Sequence, residues 1–362
     1  MKILAIESSC DETAAAIVED LPAGRQVGLK ILSSVVASST AMHEKYGGIV
    51  PEVAAREQLK VIIPTIKEAL SVSGSDLDFP FPKPQPDTIL GLGSDLQKGQ
   101  TPFDAIAVTV GPGLIGSLLV GVETAKTIAM VTGKPIIPVN HVLAHMYANF
   151  IQQGSDLKKG QTPTQTPSFP AISLVVSGGH TELFLMKSPK DLTWLGGTLD
   201  DAAGEAFDKT ARLLGFGSKG GVAIQENSIK QTLDFKLPRP LMYDKTLNFS
   251  FSGLKTAIMR EWDKHKNEVP VSAFAYEVQE AITDVLVYKT KKAAEEYDAE
   301  TIMISGGVAA NLRLREKLPE AIAPPINLCT DNAVYIASYA FFRGSPVDWH
   351  DITAVPDLSV EV

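Results

Sequence analysis

One arrangement constrains the fold of this chain more than any other. A short apolar strand ending in a turn of small or polar residues is met four times, in a repeating order. Ile3–Ile6 leads into Glu7–Thr13 and returns through the apolar run Ala14–Val18, the signature of a hairpin with a polar tip. Asp104–Val110 ends at Gly111-Pro112-Gly113 and gives way to an apolar stretch reaching Met130, which reads as strand, glycine turn and helix. Ala171–Val176 turns at Ser177–Thr181 and returns as Glu182–Met186, a second hairpin. Thr301–Ile304, Ser305-Gly306-Gly307 and Val308–Leu318 repeat strand, turn and helix. Hairpin then strand–Gly–helix, taken twice without obvious sequence identity, predicts a duplicated α/β architecture of two lobes facing a central cleft. Each glycine turn is expected to aim backbone N–H groups into that cleft, where they can hold phosphate. One such turn is ordinary in any α/β protein; four in this order are not.

Length and charge narrow the class. At 362 residues, 44% hydrophobic and 21% charged, the chain is long enough for about two domains and too apolar to be disordered. A net charge of −9 argues against nucleic-acid binding over the whole surface but leaves room for a local basic patch. Cys10 and Cys329 supply neither a disulfide framework nor a Cys-rich zinc site. No apolar run approaches the roughly 18 residues of a membrane span. The apolar residues between Lys2 and Glu7 are too few for a signal-peptide core, so a cytoplasmic protein with no membrane partner is expected.

Three stretches read as insertions. Leu21–Gly28 lengthens the first hairpin, residues 71–102 carry the alternating Pro80, Pro82, Pro84 and Pro86, and residues 154–170 are similar in composition. GSDLQKGQTP from Gly93 and GSDLKKGQTP from Gly154 agree at nine of ten positions, Gln97 against Lys158 being the difference. So close a repeat, without similarity around it, is expected to be an inert surface loop. The expected division is an N-terminal lobe over 1–150 with inserts near 21–28 and 71–102, a linker over 151–170 and a C-terminal lobe over 165–362. The last helix, about 333–343, is placed to pack back on the N-terminal lobe.

His141-Val142-Leu143-Ala144-His145 sets two imidazoles on one helical face, from which both reach a single metal ion. With six histidines in the chain, such a pair can also arise by chance. Val142 stands where an HExxH protease carries its general-base Glu, which counts against metal-dependent proteolysis. Cys329-Thr330-Asp331-Asn332 precedes the apolar helix Ala333–Phe342. Asp331 is either the N-cap of that helix or a carboxylate offered to a metal. Two His with one carboxylate suit iron(II), and also zinc. Asp201–Arg212 is a small-residue helix whose charges form either a solvated face or the carboxylate that accepts a sugar's hydroxyls, with Gly220-Gly221 following at a turn. Asn248–Thr256 places Phe249 and Phe251 either in a core or on a substrate rim.

Taken together, IESSCDET (Ile6–Thr13), GPGLIGSLLVG (Gly111–Gly121), HVLAH, VSGGHTEL (Val176–Leu183), DDAAGEAFDKTARLLG (Asp200–Gly215), FSFSGLKT (Phe249–Thr256), SGGVAAN (Ser305–Asn311) and CTDNA resemble the TsaD family. These are the tRNA N6-adenosine threonylcarbamoyltransferases, once described as glycoprotein endopeptidases. The likeness runs from Met1 to about Phe342, interrupted by the inserts. It implies the fold of the actin, sugar-kinase and Hsp70 ATPase class. It implies that His141, His145 and Asp331 ligate one divalent metal, Fe(2+) first and Zn(2+) as the alternative. The backbone of Val175, Val176, Ser177, Gly178 and Gly179 would contact the nucleotide substrate. Asp208 and Gly221 would hold the ribose and adjacent groups, and Asn311 would lie on the adenine side. Asp11 and Glu12 match acidic residues that the family needs for activity. Val222 stands where family members have Pro after the Gly-Gly pair, and the stretches Leu318–Cys329 and beyond Phe342 are short.

The activity implied moves the threonylcarbamoyl group from threonylcarbamoyl-AMP to N6 of adenosine 37, next to the anticodon, in tRNAs reading codons that begin with adenine. Asp11 is the candidate general base or amine-orienting group, with Glu12 in reserve. The implied partners are tRNA, a same-fold paralogue (TsaB-like), a small ATPase (TsaE-like) and an upstream threonylcarbamoyl-AMP synthase. A grip on tRNA could come from Lys245, Lys255, Arg260, Lys264 and Lys266, or from Lys289, Lys291 and Lys292. Val50–Leu70 is amphipathic and suits packing on the paralogue or on the chain's own sheet. The fold also supports an ATPase or sugar-kinase-like phosphotransferase, which would not require the histidine pair. The family's scaffold paralogue lacks both HxxxH and the metal Asp.

Overall fold

The computed structural model describes residues 1–21, 29–43, 46, 48–72, 101–151, 167–217 and 220–362. In chain order the first elements are β1 (Lys2–Glu7), β2 (Glu12–Asp20), β3 (Leu29–Ser38), α1 (Thr40–His43), α2 (Pro51–Val72), β4 (Ala105–Gly111), α3 (Ile115–Thr132), β5 (Ile136–Asn140) and α4 (His141–Met146). There follow β6 (Ala171–Val176), β7 (Thr181–Ser188), β8 (Asp191–Gly197), α5 (Ala203–Leu213), α6 (Gly220–Glu226), α7 (Ser252–His265) and α8 (Val271–Glu296). The last are β9 (Thr301–Ser305), α9 (Leu312–Lys317) and α10 (Ala333–Phe342). The 21–28 loop beyond Leu21, most of the 71–102 insert and most of the 154–170 insert lie outside the described residues.

The chain divides into two units. One comprises Met1–Ala144, Ile151–Gln161 and Asn332–Leu358; the other comprises His145–Phe150, Thr162–Asp331 and Ser359–Val362. Helix α10 and the tail to Leu358 group with the first unit.

The first unit is built on a five-stranded sheet in the order β3-β2-β1-β4-β5. Its β1, β2 and β3 form an antiparallel meander, and β4 and β5 join parallel to β1. Both faces of β1 and β4 are buried, which is why Ile3–Ile6 and Ala105–Val110 read as unbroken apolar runs. Helix α2 presents Ile62, Ile66 and Leu70 to the core, and α3 adds Val122, Ala125 and Ile128. Helix α3 corrects one expectation: it spans 18 residues at a mean hydropathy of 1.3, long and apolar enough to cross a membrane. Half of it is buried inside the structure, where it packs on β4 and α2.

The second unit carries a four-stranded sheet in the order β8-β7-β6-β9. Again three strands form an antiparallel meander, and one, β9, joins parallel to the first of them. The order β3-β2-β1-β4 is thus repeated as β8-β7-β6-β9, as the repeated order of segments predicts, and the first sheet adds β5. Phe207, Phe249, Phe251, Phe274, Ile282 and Leu286 lie in the core of this unit. Phe249 and Phe251 are fully buried and stacked at 6.4 Å, so they are core aromatics rather than a substrate rim. The fourth segment departs from expectation, for Val308–Leu318 is not one helix. A 3-10 turn over Gly307–Ala310 stops at Asn311, whose extended backbone (φ −64°, ψ 120°) begins α9 as its N-cap. Its side chain accepts from Leu314 N, which makes the restart favourable.

Candidate active site

Strand β5 ends in Asn140, whose side-chain oxygen accepts from Val142 N at 3.0 Å and Leu143 N at 3.1 Å. This cap starts α4 at the residue that matters, because His141 and His145 then fall one turn apart on one face. His145 Nε2 lies 3.6 Å from Asp331 Oδ1. One ligand atom each from His141, His145 and Asp331 lies within 4.8 Å of the others. Both imidazoles are buried. Two neutral-donor rings and one carboxylate converging at this spacing fit a divalent cation. Asn332, not Asp331, caps α10, accepting from Val334 N at 2.9 Å. The N-cap reading of Asp331 is thereby excluded.

Asp11 lies in the turn from β1 to β2 and Glu12 opens β2, and that turn is held from several sides. Gln58 of α2 is fully buried, and its Nε2 donates to the carbonyls of Cys10 at 3.1 Å and Glu12 at 3.0 Å, with Ser8 O at 3.4 Å. Ser117 Oγ donates to Cys10 O, and Leu114 N to Ser9 O. Thr40 Oγ1 reaches Asp11 Oδ2 at 3.2 Å and Glu12 Oε1 at 3.3 Å, and Ser38 Oγ also donates to Glu12. Neither Gln58 nor Thr40 is singled out by the sequence; a polar residue on the buried face of α2 is the only signal Gln58 gives.

The turn Gly111-Pro112-Gly113 has a different task from the expected one. Gly113 N donates to Pro356 O at 3.0 Å and Leu114 N is spent on Ser9 O, so these amides are satisfied within the protein. A Cβ on Gly113 would stand 2.5 Å from Ser9 O. The glycine therefore allows the β1–β2 turn to approach the start of α3; it does not cradle phosphate.

The second unit holds a pocket of about 290 Å³. Among the anticipated nucleotide contacts, Gly178, Asp208, Gly221 and Asn311 line it. Gly307, from the expected Ser305–Gly307 turn, lines it too, and so do Phe207, Gln225 and Val308, which were not foreseen. Val175, Val176, Ser177 and Gly179 are not among its lining residues: the two valines are buried in β6, and Ser177 and Gly179 lie in the turn that follows. Gly178, Gly221 and Gly307 have nothing within 4 Å of where a Cβ would stand, and so leave the volume open. Gly220 differs: its Cβ would meet Asp208 at 2.2 Å, and only its absence lets the backbone close on that carboxylate. Burial pushes the Asp208 carboxyl above its ordinary value; Arg212 and the Gly220 N–H only partly oppose this. Asn311 is held by two bonds, Oδ1 to Leu314 N and Nδ2 to Gln279 Oε1, both at 3.0 Å. Its amide is thus fixed as wall of the pocket.

The basic clusters are mostly spent on local partners. Lys289 is fully buried with Nζ on Thr246 O at 2.9 Å, so it belongs to no surface patch. Lys292 donates to the carbonyls of Asp244 and Lys245, Lys291 pairs with Glu320, Lys266 with Asp263, and Arg260 with Glu261.

Two α/β units whose sheets share the order of four strands, one of them carrying a glycine-walled pocket, define a protein of the actin, sugar-kinase and Hsp70 ATPase fold class. Full-length HypF in the phosphate- and nucleotide-bound form is similar in fold, with a TM-score of 0.53 at 10% identity, over 93% of this chain and 45% of that one. The family model of TsaD, tRNA N6-adenosine threonylcarbamoyltransferase, matches residues 30–78 and 94–338. Relatives bearing that name are 43% identical in Thermomicrobium roseum, over 94% of this chain and 92% of the relative. In Dehalococcoides mccartyi the relative is 44% identical over 99% of both chains. The chain belongs to the tRNA N6-adenosine threonylcarbamoyltransferase family. It is a transferase that modifies tRNA.

Proposed function

We propose that this chain takes the threonylcarbamoyl group from threonylcarbamoyl-AMP and delivers it to N6 of adenosine 37 in tRNAs that read codons beginning with adenine. The observation that carries the reading is the pocket in which Gly178, Asp208, Gly221 and Asn311 meet. A pocket of this size, open at its glycines and bearing one carboxylate, suits a nucleotide. Asp208 accepts the ribose hydroxyls, the backbone of Val175, Val176, Ser177, Gly178 and Gly179 lies along the nucleotide, and Asn311 forms the adenine-side wall.

In the reaction the exocyclic amine of adenosine attacks the carbonyl carbon of the donor. A new C–N bond forms, the bond from that carbon to the phosphate oxygen breaks, and AMP leaves with the electron pair. The amine gives up one proton. Asp11 orients the amine and accepts that proton, and Glu12 supports the same turn through their shared partner Thr40. A neutral amine is a moderate nucleophile, so positioning supplies much of the rate. His141, His145 and Asp331 would hold a divalent ion, Fe(2+) with Zn(2+) the alternative, which would supply Lewis-acid chemistry when bound. The proposed setting is the cytoplasm, with a same-fold paralogue, a small ATPase and the synthase that makes the donor.

The test is mass-spectrometric nucleoside analysis of tRNA incubated with the chain, its partners, threonine, bicarbonate and ATP. The expected product carries the threonylcarbamoyl mass increment; a complete mixture that yields none overturns the reading. His145→Ala is expected to lose retained metal and modification together. Full metal content and full activity in that variant would remove the metal assignment.

A further inference from the structure

Behind His141 stands a side chain that no role so far described uses. Glu7 closes β1 and is fully buried. A buried carboxylate is costly unless its lone pairs are engaged. Here they are: Oε1 accepts from Ser9 N at 2.6 Å, and Oε2 accepts from Thr109 Oγ1 and faces His141 Nδ1 at 3.2 Å. Ser9 Oγ also lies 3.2 Å from the same ring nitrogen. Tyr335 meets the imidazole edge-on at 6.1 Å between centroids. One nitrogen of the ring, Nδ1, therefore faces Glu7 and Ser9, and Nε2 is the other donor that the ring can offer.

We propose that Glu7 is a positioning residue for the metal centre: it accepts the Nδ1 proton of His141, fixes that tautomer, and so presents Nε2 to the cation. The chemistry is that of a carboxylate behind a metal-bound histidine, where the acceptor fixes the ring and makes its other nitrogen a better donor. The backbone adds to the argument. Glu7 is fastened by β4 through Thr109 and by its own turn through Ser9, so it cannot swing away without breaking two further bonds. The inference rests on the reading of His141, His145 and Asp331 as metal ligands.

The test is cobalt(II) titration of the metal-free full chain, followed by its visible d–d absorption, in the wild type and in Glu7→Gln, with thermal melting in chelator recorded for both. Glu7→Gln is expected to bind cobalt about 10–100-fold more weakly, with a shifted band and an unchanged metal-free melting temperature. Affinity within twofold of wild type, with an unshifted band, overturns the proposal. Should Glu7→Gln fail to fold, nitrogen-15 histidine spectra of the zinc-loaded wild type decide, with His141 assigned by its loss in His141→Gln. The expected spectrum shows a proton on Nδ1 and metal on Nε2; metal on Nδ1 overturns the proposal. A wild type that binds no cobalt removes the metal reading itself, whereas a normal wild type beside a normal Glu7→Gln removes only the role of Glu7.

Discussion

Glu182 lies on β7 with 7% of its surface exposed, accepting from Trp194 Nε1 at 2.8 Å. Burial, aided by nearby Glu361 and only partly opposed by that bond, pushes its carboxyl up to about 7. The native state then holds a proton that the unfolded chain releases near pH 4.5. Stability contributed at this site is full below that value and declines as pH rises to about 7. The loss amounts to at most about 3 kcal/mol. Glu182→Gln, which keeps an acceptor for Trp194, is expected to raise the melting temperature at pH 8 and leave it unchanged at pH 4. Equal effects at both pH values would contradict this. The sequence shows Glu182 only as a polar residue after a turn, because its burial is decided by β8, which sets Trp194 and Gly197 against its carboxylate. The same holds for Lys289, read as a surface cation until Thr246 and Phe249 are seen to cover it.

Two loops illustrate how elements are fixed by side chains remote in sequence. Gln58 reaches from α2 to three carbonyls of the β1–β2 turn. Gln58→Leu removes those donors: Cys10 O keeps Ser117 Oγ, while Glu12 O loses its bond to Gln58. It is expected to lower kcat at least tenfold, while metal content stays at the wild-type level, and to speed hydrogen exchange over residues 8–12; an unchanged kcat would show that the turn needs no such brace. Asp200 does similar work for α7. It accepts from Ser250 Oγ and Ser252 Oγ, each at 2.6 Å, and from Phe251 N at 2.8 Å. Although burial opposes it, these bonds bring its carboxyl down to about 2. Its contribution is present above the ordinary value of 3.8 and is lost as pH falls through about 2. Asp200→Ala should cost about 1 kcal/mol, read as faster exchange in the first turn of α7 and a lower denaturant midpoint at pH 7. The FSFSGLKT motif thus divides its labour: aromatics to the core, hydroxyls and amides to Asp200.

Beyond α10 the chain does more than trail. Val347 N donates to Ile136 O and Val355 N to Val110 O, and Pro356 O takes the Gly113 amide. Ile352 is 4% exposed and joins the core beside Trp349 and Leu358. Burying such side chains contributes about 1.5–3 kcal/mol for each one fully covered. Ending the chain after Arg343 is expected to lower the melting temperature by on the order of 10 °C. A melting temperature within a degree or two of wild type would mean that the tail only rests on the first unit. Its short length suggests little of this; the pairing depends on carbonyls that β4 and β5 leave exposed at their ends.

Local order was legible from residues alone. Apolar runs interrupted by glycine, serine and proline announce strands and turns, and their repeated succession gives two sheets that share the order of four strands. The spacing of His141 and His145 needs only the pitch of a helix. Tertiary structure decided which neighbour caps α10, that Asn311 breaks a helix, that Gly113 admits Ser9, and that Glu7 stands behind His141. Each of these turns on atoms brought together from distant parts of the chain, and periodicity along a sequence carries no record of such distances.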